Sequence, residues 1–63
     1  MNNFIAKNPK QLDICLRFLY AEKVDFMVDV VENNKHKIEY DIKVELEQEA
    51  YDVLREKYRI LTS

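Results

Sequence analysis

From Val24 to Leu46 the chain alternates. Val24, Phe26, Val28 and Val30 precede Asn33-Asn34, and Ile38, Tyr40, Ile42, Val44 and Leu46 follow it, with mostly charged or polar residues between them. A period of two is the mark of strands with one buried face. This stretch therefore predicts two strands, residues 24–31 and 36–46, joined as a hairpin with every even side chain on the core face. The phase also constrains the turn. A two-residue Asn33-Asn34 loop would set Val30 opposite Lys37 and mix the faces, because a one-residue slip flips a whole strand. A three-residue loop over Asn33 to Lys35 sets Val30 opposite Ile38, Val28 opposite Tyr40, Phe26 opposite Ile42 and Val24 opposite Val44. That register places Asp29 opposite Glu39 on the outer face, a like-charge pair with a cost of a few tenths of a kcal/mol or more.

Helices are predicted on either side. Asn8 is a good N-cap, Pro9 suits the first helical position, and Gln11 stands where a capping-box glutamine reaches back. The first helix is expected from Pro9 to about Glu22, with Leu12, Cys15, Leu16, Leu19 and Tyr20 on its main apolar face. A second stripe, Ile14, Phe18 and Ala21, implies cover from another side, either Val53 and Ile60 of the second helix or a partner. The second helix is expected over Glu47 to Leu61, with Ala50, Leu54, Tyr58 and Leu61 facing inward. Lys57 falls inside that apolar arc, so its stem snorkels or the helix stops near Glu56.

Ahead of the first helix, Phe4-Ile5-Ala6 reads as a short strand. The element order is then β-α-β-β-α, an α+β fold with a small antiparallel sheet, strand order 1-3-2, and both helices on one face. This is the split βαβ arrangement of ferredoxin-like architectures. Without the first strand, the alternative is α-β-β-α over a two-stranded hairpin, a weaker structure. Residues 1–63 form a single domain on this reading.

Size and composition bound the function. A chain of 63 residues buries only about 60% of its unfolded surface and is marginal without help. One cysteine excludes an internal disulfide, and one cysteine with one histidine cannot build an ordinary zinc site. Hydrophobic residues are 48% of the chain, which supplies a core and argues against disorder. Two routes to stability remain, an efficient core or a partner. Ten basic residues are dispersed among twelve acidic ones, for a net charge of −2. This lacks the basic footprint of direct nucleic-acid binding. No apolar run suggests a signal peptide or a membrane span, which with the lone thiol points to a cytoplasmic protein. Glycine is absent, so phosphate-cradling loops are excluded, and turns needing positive φ are expected to use asparagine.

No residue pattern calls for catalysis or a cofactor. Cys15 sits on an apolar helix face with no local activating group and reads as core. His36, between Lys35 and Lys37, reads as an exposed turn residue. Tyr20, Tyr40, Tyr51 and Tyr58 read as core or boundary aromatics rather than a base-stacking platform, which needs a positive groove. The remaining candidates are surfaces. Asp25, Asp29, Glu39 and Asp41 form an acidic group on the outer sheet face, beside Met27 and Val31. All of these but Asp41, with Ile14, Phe18 and Ala21, are the expected partner-binding residues. The expectation is a non-enzymatic, homodimerising interaction or regulatory module. Alternatives are a compact acidic inhibitor or nucleic-acid mimic carried by a phage or mobile element, and a small ligand-sensing domain.

Overall fold

The structure is a computed structural model that describes residues 2–62. The elements run β1 (Asn2–Ala6), α1 (Pro9–Ala21), β2 (Phe26–Glu32), β3 (Ile38–Val44) and α2 (Gln48–Thr62). The sheet order is β1-β3-β2, with β3 antiparallel to both neighbours. This is the three-stranded β-α-β-β-α arrangement expected from the sequence, with a first strand longer than Phe4-Ile5-Ala6.

α1 starts as its sequence demands. Asn8 is extended at the N-cap, and its Oδ1 accepts from the Gln11 N–H at 2.8 Å. Gln11 Oε1 accepts from the Lys7 N–H at 2.9 Å, one residue earlier than a capping box would place it. The C-terminus is a Schellman turn. The Val24 N–H donates to the Leu19 carbonyl and the Lys23 N–H to the Tyr20 carbonyl, both at 3.1 Å. Lys23 holds φ at +58°, where glycine is usual.

The even strand positions face the helices as predicted. The buried core comprises Phe4 and Ala6 of β1, Cys15 and Leu19 of α1, Ile42 and Val44 of β3, and Leu54 of α2. Three ring contacts tie β1 and the two helices together. Phe4 meets Tyr51 and Tyr58 with centroids 5.4 Å apart in each case, and Phe18 meets Tyr58 at 5.3 Å. Such pairs contribute about 0.5–1.5 kcal/mol each beyond the area they bury.

The hairpin register departs from expectation by two residues. Phe26 faces Val44, Val28 faces Ile42, Val30 faces Tyr40, and Asp29 faces Asp41 rather than Glu39. The loop does hold three residues, but they are Asn34 to His36. The Asn33 N–H donates to the Lys37 carbonyl at 2.9 Å, and the His36 N–H to the Asn33 carbonyl at 3.0 Å. Asn33 Oδ1 accepts from the Lys35 and Lys37 N–H groups at 2.9 and 3.1 Å. Asn33 thus serves as the first corner of the turn, a role its side chain favours, and His36 at φ +58° supplies the left-handed residue that ends such loops. Both registers keep even residues on the core face, so alternation could not separate them. Positive φ falls on Lys23 and His36 rather than on asparagine.

The helix faces also need correction. Tyr20, expected inside, is 81% exposed. α2 is rotated from the expected face: Tyr51, Leu54 and Tyr58 point to the core, while Ala50 and Leu61 are exposed. It continues past Lys57, whose ammonium reaches a Glu22 carboxylate oxygen at 3.2 Å. Among the described residues, no helix is long and apolar enough to cross a membrane.

Candidate functional site: two sheet edges and an uncovered sheet face

The expected partner-binding residues fall on opposite sides of the molecule. Ile14, Phe18 and Ala21 lie on α1, in the helical layer. Ile14 and Phe18 are half-buried, and Ala21 is exposed. Phe18 packs on Tyr58, so helix-to-helix packing accounts for the centre of this stripe. The contact runs through Tyr58 rather than Val53, which stays 60% exposed.

Met27, Asp29, Val31 and Glu39 lie together on the sheet face that the helices leave uncovered, and Asp25 stands just before β2. Two carboxylates of that face are engaged. Asp29 pairs with Lys43 at 2.8 Å, and Asp41 accepts from Asn3 Nδ2 at 2.6 Å. These partners relieve the Asp29–Asp41 juxtaposition. The hydrogen bond and charge of Asp29 push the Lys43 ammonium pKa above its usual value. A cleft of about 300 Å³ opens at one end, lined by Asp25, Phe26, Met27, Lys43 and Glu45. That is the lower end of the range for small-molecule sites.

Other residues with reactive side chains have structural engagements. The Cys15 thiol is fully buried; burial pushes its pKa up, and a hydrogen bond from Tyr58 offsets this only in part. A raised thiol pKa opposes nucleophilic chemistry. His36 Nδ1 lies 2.8 Å from a Glu32 oxygen on the exposed turn. Among the described residues, no group of three or more His, Cys, Asp or Glu is placed to hold a metal ion.

A small open sheet is expected to have free edges, and backbone geometry identifies which one is unprotected. In an antiparallel strand, successive residues direct their N–H and C=O groups to opposite sides. Asn33 bonds across to Lys37, so odd residues of β2 face β3, and Phe26, Val28, Val30 and Glu32 face outward. On β1 the odd residues face outward, and the helices take up part of that edge. The Tyr51 hydroxyl donates to the Asn3 carbonyl at 2.7 Å, and Gln11 receives the Lys7 N–H. Among the described residues, no hydrogen bond within the chain reaches the outward groups of β2 from Phe26 onward.

β2 also carries exposed apolar side chains on both faces: Phe26 and Val30 on the helix side, Met27 and Val31 on the other. Phe26 and Val30 were expected in the core. They lie on the strand farthest from β1, and the buried cluster contains no β2 residue. Ile38 is exposed for a related reason, since β1 pairs only with residues from Tyr40 to Val44 and the hairpin tip projects beyond it. Strand lengths alone could have signalled this overhang.

Comparison with protein-family models, with curated proteins and with solved structures gives no match for this chain.

Proposed function

We propose that this chain is a small non-enzymatic interaction module that acts as a homodimer. The observation that carries this reading is β2, an edge strand with unused backbone hydrogen-bonding groups and exposed apolar side chains on both faces. Natural edge strands are blunted by charged side chains, lysine above all, by proline, by bulges or by a covering element. β2 reads Phe-Met-Val-Asp-Val-Val-Glu; its one central charge, Asp29, is paired with Lys43, it has no lysine or proline, and it pairs without interruption along its length. A domain this small also gains most from a second chain.

The acidic-mimic reading draws less support, because the net charge is only −2 and Asp29, at the centre of the acidic group, is matched by Lys43. Sedimentation velocity at about 1 to 100 micromolar, a range that brackets weak and moderate association, tests the proposal. The expected result is a species of twice the 7.6 kDa chain mass at the upper concentrations. A monomer throughout would refute it.

A further inference from the structure

We infer that the dimer seam is β2 paired antiparallel with β2 of a second copy, about a two-fold axis at Val28. The inference rests on the homodimer reading and deepens it. Only even residues present outward backbone groups, so an axis at Val28 makes Val28 face itself and Phe26 face Val30 of the second copy. Each of these pairs exchanges both of its N–H···O=C bonds. Facing residues in an antiparallel pair project to the same side of the sheet. Phe26, 38% exposed, and Val30, 65% exposed, therefore cover one another on the helix side, twice over. The two three-stranded sheets become one of six strands, with all helices on one side.

Charge and side-chain matching disfavour the neighbouring arrangement with its axis at Asp29. An axis at Asp29 sets Asp29 against its own copy in a pair whose Cα atoms are about 4.5 Å apart, and it sets Phe26 against Glu32. Like charges directly opposite are destabilising. An axis at Phe26 or Val30 shortens the paired stretch. With the axis at Val28, Met27 faces Asp29 of the second copy, whose charge is already met by its own Lys43. The paired stretch stops where the Val24 N–H is taken by Leu19. A seam of one strand buries less than the roughly 800 Å² per partner of a standard interface, so a weak, concentration-dependent dimer is expected.

The test compares sedimentation of the wild type with Val30→Lys, Val28→Pro and Ile5→Lys. Val30→Lys places a charge on the seam at an already exposed position. Val28→Pro removes an N–H that points away from β3, so the internal ladder keeps its bonds. Ile5→Lys places the same charge on β1, whose edge is not the seam. The expected result is at least a tenfold weaker dimer for the first two and an unchanged dimer for Ile5→Lys. If Val28→Pro loses its fold by circular dichroism, Val30→Lys carries the test alone. Register is read in a Cys15→Ala background. Asp25→Cys and Val31→Cys chains, which keep the Asp29 charge, should link when mixed, while Met27→Cys and Val31→Cys chains should not. Linking of Met27→Cys with Val31→Cys, or a dimer indifferent to Val30→Lys, would overturn the seam and leave the homodimer reading standing. A monomeric wild type would overturn both.

Discussion

β1 and β2 are both edge strands of the same sheet, yet they are finished differently. β1 is short and lies under the helical layer. Its Phe4 is buried between Tyr51 and Tyr58, Tyr51 occupies one of its outward backbone groups, and Gln11 takes the Lys7 N–H just past its end. β2 has seven residues, contributes nothing to the fully buried cluster, and carries apolar side chains over an unused edge. The difference teaches that burial and edge protection are supplied here by the same elements. Where the helices reach, the strand is packed and partly capped; where they do not, Val28 alone packs against the core and the edge is open.

The sharpest challenge to this contrast is a pair of matched truncations. Phe4→Ala should cost about 3–5 kcal/mol, as for a buried aromatic, and is expected to unfold so small a domain. Phe26→Ala should cost the monomer about 1 kcal/mol, since much of that ring is already in water. Urea midpoints of the two variants, measured under dilute conditions, decide the matter. Equal costs would break the contrast.

The caps provide smaller tests. Tyr51→Phe keeps the ring against Phe4 and removes only the hydroxyl bonded to the Asn3 carbonyl. A loss of about 1 kcal/mol is expected, read as a lowered denaturation midpoint. At the approach to β2, Lys23→Gly relieves a left-handed backbone conformation that costs a non-glycine residue about 1–2 kcal/mol. The greater freedom of glycine in the unfolded chain offsets part of that gain, so a net stabilisation of about 0.5–1 kcal/mol is expected in thermal unfolding.

The smallest effect lies in α2, away from both edges. The hydrogen bond from Arg59 holds the Glu56 carboxyl below its ordinary range. A depressed carboxylate pKa stabilises the fold above the unfolded value of about 4.3, and this is lost as pH falls through the folded value. Glu56→Gln should therefore reduce stability slightly at neutral pH and flatten the acid side of the stability curve. The pair is exposed, so a shift near the limit of measurement is expected.

Much of this contrast was legible in local pattern. Alternation at Val28, Ile42 and Val44 gave the core face, and Asn8-Pro9 gave the start of α1. Met27 and Val31 were visible as odd apolar residues on a strand. Phe26, Val30 and Ile38 were not, because alternation says which face a side chain takes and not whether another element covers it. The register was missed because Asn33 had to be chosen as a turn corner over Asn34, a choice made by its backbone and side-chain hydrogen bonds. The capped edge was missed because Tyr51 and Asn3 meet only in the folded molecule.

Amide hydrogen exchange resolved by residue, at two protein concentrations, tests the central claim most directly. The outward amides of Val28 and Val30 should exchange slowly when the protein is concentrated and rapidly on dilution. The inward amides of Met27 and Asp29, bonded to β3, should be far less sensitive to dilution. Exchange at Val28 and Val30 that is fast at both concentrations would contradict the account.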